Sequence, residues 1–108
     1  MTESAQIPKN GTISDYQTYI RDVLTKRGFI SQNVDTRFTL LVEEVGELAK
    51  SIRKLNKEKI DVNSRTTDVH EEIADVFFVL VSIANKLDID LSEAFIRKEQ
   101  LNNLKIWV

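Results

Sequence analysis

Cysteine is absent from the 108-residue chain, and histidine occurs once, at position 70. The first absence removes disulfides and thiolate metal sites. The second removes most histidine-dependent chemistry. His70-Glu71-Glu72-Ile73-Ala74 opens like the zinc-protease signature, but Ala74 stands where that signature needs its second histidine. A carboxylate-bridged di-iron bundle wants Glu-x-x-His on two helices and is weakened by the same shortage. Glycine occurs three times and proline once, with no glycine-rich phosphate loop and no Ser-His-Asp set to supply a nucleophile. No apolar run approaches a membrane span, and the polar start of the chain has no signal-peptide core. There is no excess of positive charge either. A net charge of −2 and a pI near 5.4 argue against nucleic-acid binding by general electrostatic attraction. A cytoplasmic protein with no membrane and no nucleic-acid partner is the expectation.

What the chain does have is length for one domain and a helix-rich composition, 42% hydrophobic and 30% charged. Residues 1–11 lack periodicity and carry Pro8 and Asn10-Gly11, so they read as a flexible lead-in to an all-α domain over residues 12–108. Two acidic stretches set inside apolar helices organise that domain: Leu40 to Leu48 and Glu71 to Val76. At about 100° per residue, Leu41, Val45, Leu48, Ile52 and Leu55 define one apolar face. Glu44 falls inside that face and Glu47 at its edge. On the second helix Val69, Val76, Leu80, Ile83 and Leu87 make the stripe; Glu72 lies within it and Asp75 beside it. Carboxylates inside an apolar stripe are costly, because an unpaired buried charge loses its hydration. Four of them repel by about 4 kcal/mol per pair at about 4 Å and an effective dielectric near 20. Something positive must compensate them. The two open readings are Lys or Arg partners across the bundle and a divalent cation. An i,i+3 pair on each of two facing helices offers oxygen-only ligands, which favour Mg²⁺ or Mn²⁺.

Taken in order, Thr12 or Ser14 caps a first helix that runs to about Arg27 and stops at Gly28. Gln17 lies in its apolar seam, either as a satisfied polar core residue or as an amide that hydrogen-bonds a base edge. Asn33 or Asp35 caps a second helix to about Leu55, with Gly46 inside it for close packing or for ligand room beside Glu47. Residues 56–65 form a connecting loop, and Thr66 or Thr67 caps a third helix that continues to about Leu87. Phe77, Phe78 and Val81 widen the apolar surface of that helix beyond one stripe and point to a subunit interface. Asp90 or Ser92 begins a fourth helix, with Leu91, Phe95, Leu101 and Leu104 as its expected core contacts. Arg97, Lys98, Asn102, Asn103 and Lys105 give it a cationic, amide-rich side, either a solvated face or a phosphate clamp.

Glu43-Glu44-Val45-Gly46-Glu47 followed after a spacer by Glu72-Ile73-Ala74-Asp75 resembles the MazG-like nucleotide pyrophosphohydrolases, of the all-α NTP pyrophosphatase superfamily. Lys26-Arg27-Gly28-Phe29, Leu41 to Arg53 and Lys98 through Trp107 share in the resemblance, which covers nearly the whole chain after about Ile13. It implies a four-helix bundle-like fold assembled as a homodimer or homotetramer. It also implies Mg²⁺-dependent hydrolysis of a nucleoside triphosphate to the monophosphate and pyrophosphate, in nucleotide-pool house-cleaning. Glu44, Glu47, Glu72 and Asp75 would then be metal ligands, and Glu43 a base or a residue behind the ligands. Lys98, Asn102 and Lys105 would hold phosphate oxygens, and Gln17 would contact the base. The rivals are a related dUTP or phosphoribosyl-ATP hydrolase and a non-catalytic helical module whose acidic cluster meets a basic partner.

Overall fold

Thr12 starts the first helix. Its hydroxyl accepts from the Asp15 N–H at 3.1 Å, while the Asp15 carboxylate accepts from the Thr12 N–H at 2.8 Å. This reciprocal cap satisfies two donors that a helix start leaves over. The computed structural model describes residues 6–57, 59, 61–63 and 68–108. Among them lie four helices and no strand: α1 (Ile13–Arg27), α2 (Val34–Leu55), α3 (Val69–Lys86) and α4 (Leu91–Asn102). The all-α class is the one expected from the sequence.

The helix ends follow local chemistry. α1 stops at Gly28, whose φ of +82° suits a residue without a Cβ. Phe29 N–H then reaches back to the Leu24 carbonyl at 2.8 Å and closes the end. Asn33 caps α2 by accepting from Thr36 N–H at 2.8 Å, and Asp90 caps α4 by accepting from Glu93 N–H at 3.0 Å. One cap differs from expectation. Thr66 and Thr67 lie outside the described residues, and the α3 cap is Asp68, whose carboxylate accepts from His70 N–H at 2.6 Å. Part of the expected 56–65 loop is likewise outside the described residues. Of the described part of the expected lead-in, residues 6–9 and Gly11 line a cavity of about 980 Å³ with Asp15, Thr18, Tyr19 and Asp22 of α1.

α2 and α3 form the central antiparallel pair, α1 packs on α3, and α4 packs chiefly on α1. The apolar core sits where α1 meets α3: Ile20, Leu24 and Val81, flanked by Tyr19, Phe77, Phe78 and Leu91. Tyr16 meets Phe77 edge to face at 5.7 Å in the same seam. The α2–α3 seam is different in kind. Its buried side chains are Arg37, Ser51, Glu72 and Ser82, so polar and charged groups line its middle.

That placement corrects two expectations. Val45, Ile52 and Leu55, expected on the inward face of α2, are exposed, and with Phe38 and Val42 they form an outer apolar strip. The face turned to α3 carries Arg37, Leu40, Leu41, Glu44, Glu47, Leu48 and Ser51 instead. On α4 only Leu91 packs inward; Phe95, Leu101 and Leu104 are exposed, because the helix leaves α1 after its first turn. The total surface is 8752 Å², against roughly 6,100 Å² for a compact monomer of this mass. The radius of gyration, 16.8 Å, exceeds the roughly 13 Å typical of a domain this long.

Candidate metal centre

Glu44 enters the α2–α3 seam from α2, and Glu72 and Asp75 enter it from α3, one turn apart. One carboxylate oxygen from each lies within 4.8 Å of the others. The cluster grades from buried to open: Glu72 is 4% exposed, Glu44 half-buried and Asp75 exposed. Glu72 Oε2 is buried with no hydrogen-bond partner. A buried acceptor without a partner is rare and costly, and here it faces two further carboxylates rather than a donor.

The electrostatics follow the geometry. Burial pushes the Glu72 carboxyl above its ordinary 4.5, and the charges of Asp75, Glu47 and Glu71 push it further. Contact with the Glu44 carboxyl acts weakly the other way. Glu44 is raised for the same reasons, burial first, then Asp75, Glu72, Glu47 and Glu43. Among the described residues, no cation is among the causes for either group.

Hard oxygen donors, mutual repulsion and an orphaned buried oxygen are what a divalent cation such as Mg²⁺ or Mn²⁺ satisfies. The residues fit that group. Glu47 lies close enough to raise both neighbours, while its own carboxylate meets Lys50 at 3.8 Å. Glu43 is exposed on the adjacent face of α2. A Cβ at Gly46 would meet nothing within 4 Å, so packing within this chain does not demand a glycine there.

The other expected site residues lie elsewhere. Gln17 is buried and engaged: its Nε2 donates to Asn85 Oδ1 at 3.0 Å and to the Ile89 carbonyl at 2.8 Å. Its Oε1 accepts from Leu91 N–H at 3.1 Å. This is the polar-core alternative for Gln17. Its partner Asn85 sits ten residues beyond Asp75 on α3, roughly 15 Å along the axis. Lys98 and Lys105 are exposed, Lys105 lying 5.9 Å from the Trp107 ring centre, and Asn102 donates to Glu99 Oε1 at 3.3 Å. Lys98 and Asn102 ride on the half of α4 that leaves the bundle, and Lys105 lies just beyond its end. Sequence reasoning missed Arg37, which is 2% exposed. Its signal was an arginine seven residues before Glu44, on the same helix face.

Residues 32–100 match the MazG nucleotide pyrophosphohydrolase domain, and the chain belongs to that family. Among solved structures the chain is similar to YpjD from Bacillus subtilis, described there as a candidate pyrophosphatase. The two share 31% identity at a TM-score of 0.77, over 92% of this chain and 100% of that one. It is also similar to iMazG from Vibrio DAT 722, with 28% identity and a TM-score of 0.65 over 89% and 98% of the two chains. In sequence the chain is 49% identical over 57 residues to YpjD of Bacillus subtilis (strain 168), an uncharacterised protein. That match spans half of this chain and half of the relative.

Proposed function

We propose that the chain hydrolyses a nucleoside triphosphate to the nucleoside monophosphate and pyrophosphate, with Mg²⁺, or Mn²⁺ in its place, held by Glu44, Glu72 and Asp75. The observation that carries this is the buried, unpartnered Glu72 oxygen facing two other carboxylates. When bound, the cation supplies positive charge to the phosphate oxygens and to the departing pyrophosphate. The chain's own residues do the rest. Glu47 adds negative charge at the edge of the cluster and would join Glu44, Glu72 and Asp75 in holding the cation. Glu43, exposed beside Glu44, accepts the proton of a water that attacks the α-phosphorus. The bond between that phosphorus and the bridging oxygen breaks, and its electron pair leaves with pyrophosphate.

Lys98, Asn102 and Lys105 fit phosphate oxygens by chemistry, but α4 carries them away from the carboxylates of their own chain. A second copy resolves this. The outer strip of α2 (Phe38, Val42, Val45, Ile52 and Leu55) and the apolar side of α4 leave more surface open than a compact monomer does. A homodimer or homotetramer that buries these faces lets α4 of one copy reach the carboxylates of another. Sedimentation at micromolar concentration is expected to give a dimer or larger; a strict monomer that still turns over would overturn this part of the proposal.

The chemistry is tested by pyrophosphate release from a panel of canonical and modified nucleoside triphosphates, with Mg²⁺ or with EDTA. Release from at least one substrate group, abolished by EDTA, is the expected result. Orthophosphate in place of pyrophosphate, or release that survives EDTA, would exclude the proposed reaction.

A further inference from the structure

Arg37 is among the most deeply buried side chains described, and it has no role in the reaction proposed above. Its guanidinium hydrogen-bonds only to carbonyls. Nη1 donates to Ser82 O at 2.7 Å, and Nη2 donates to Ile30 O at 3.0 Å and Phe29 O at 3.3 Å. Nε is buried without a partner. Burial accordingly lowers the Arg37 pKa. A cation held by neutral acceptors is an expensive way to stabilise a fold, since an apolar side chain of similar volume would fill the space with less desolvation. What a planar fork provides instead is direction. It ties three separate places, the α1–α2 connection twice and α3 once, to one point on α2.

The numbering shows what that point controls. Arg37 to Glu44 is seven residues along α2, and Ser82 back to Asp75 is seven along the antiparallel α3. Three further steps reach Glu47 on one helix and Glu72 on the other. Seven residues are nearly two turns, so the tie and the carboxylates share one face of each helix, about 10 Å apart. A slip of one residue between the helices would turn a carboxylate by about 100° away from its partners. The fully buried side chains of that seam are polar or charged, and its apolar residues on α2, Leu40, Leu41 and Leu48, are only half-buried. We infer that Arg37 is the positioning residue that sets the register of α2 on α3 and thereby brings Glu44, Glu72 and Asp75 together.

For its metal readout this rests on the cation reading of the cluster, so the test has one arm with metal and one without. Mn²⁺ affinity, followed by the loss of the free-ion paramagnetic resonance signal, is measured for the full chain, Arg37→Met, Arg37→Lys and Leu24→Ala. Leu24 is a core residue of α1 outside the α2–α3 seam, and its truncation serves as a destabilised control that leaves the Arg37 hydrogen bonds in place. Arg37→Met is expected to bind Mn²⁺ about 10- to 100-fold more weakly, the range seen when residues behind metal ligands are removed. Arg37→Lys should fall between it and the parent, and Leu24→Ala should bind as the parent does.

Because the chain has no cysteine of its own, register is also read without metal. Glu44→Cys is paired with Asp75→Cys, or with Val79→Cys one turn away, and joined by a short bifunctional thiol reagent. With Arg37 present the 44–75 pair should join in clear preference to the 44–79 pair. With Arg37→Met that preference should disappear. If Arg37→Met does not fold, Arg37→Lys carries both arms, with a smaller change expected in each. An unchanged cross-linking preference, or an equal loss of Mn²⁺ affinity in Leu24→Ala at matched stability, would overturn the positioning role. A parent chain that cross-links as expected but binds no Mn²⁺ would overturn the cation reading and leave the register role standing.

Discussion

Replacing Glu72 by Gln is expected to silence the enzyme and to make the metal-free protein more stable. The loss of turnover comes from removing the most buried of the three converging carboxylates; a fall in kcat on the order of 10³-fold, about 4 kcal/mol of barrier, is expected. The gain in stability comes from the same residue. Burial, then the charges of Asp75, Glu47 and Glu71, raise the Glu72 carboxyl above 4.5, so without a cation the folded state binds protons that the unfolded chain releases. Stability contributed this way is present at pH below the ordinary Glu value and is lost as pH rises through the raised folded value. In EDTA the parent should therefore melt higher at pH 5 than at pH 7, and Glu72→Gln should flatten that slope. Asp68 does not interfere. Its hydrogen bonds with His70 hold it below 3.8, so its contribution is lost only in more acid solution. A cation at 100 times its dissociation constant adds about 2.7 kcal/mol, roughly 10 °C for a domain of this size. That gain should be seen with the parent at pH 7, shrink on acidification as protons compete for the carboxylates, and be much smaller in the variant. Melting curves across pH with EDTA or Mg²⁺ check all three. Equal pH slopes in parent and variant would show that Glu72 is not the strained group.

The pattern of what the sequence did and did not disclose follows from the range of the interactions. Thr12, Asn33 and Asp90 could be read as caps because a cap depends on backbone three residues away. Glu44, Glu72 and Asp75 could be read because a carboxylate in an apolar stripe contradicts its surroundings, and the contradiction repeats on two helices. The cap of α3 was misread, because threonine at 66 or 67 offers the same chemistry as Asp68. What Arg37 bonds to was invisible for a different reason. Its partners are carbonyls of Phe29, Ile30 and Ser82, and every residue has a carbonyl, so no side-chain pattern marks them. The inward face of α2 was misjudged because hydrophobicity marks whatever surface is to be covered. Val45 and Ile52 are apolar without being turned toward α3. The same ambiguity moved Phe95 and Leu101 into an expected core that α4 does not enter.

Gln17 is where the two readings of one residue separate most cleanly. Truncation by Gln17→Ala removes two donated hydrogen bonds, to Asn85 and Ile89, and leaves the Leu91 N–H at the start of α4 without its acceptor. At about 1 kcal/mol for each bond, and more where a part-buried group stays unsatisfied, the expected loss is about 3 kcal/mol. That corresponds to a fall in Tm of roughly 10–15 °C. The loss should be local as well as global. α4 is held at Leu91 and little beyond, so its amides should exchange with solvent faster than those of α2 and α3. Gln17→Glu tests direction rather than size. An ionised carboxylate only accepts, and it would face the Ile89 carbonyl and Asn85 Oδ1 with no proton to give, so it should destabilise despite its near-identical shape. A residue whose work is to contact a nucleotide base behaves otherwise, with KM rising several-fold in both variants at unchanged melting temperature. Measuring KM and Tm on the same two proteins decides between them, and the hydrogen bonds already made by the amide favour the lock that joins α1, α3 and the start of α4.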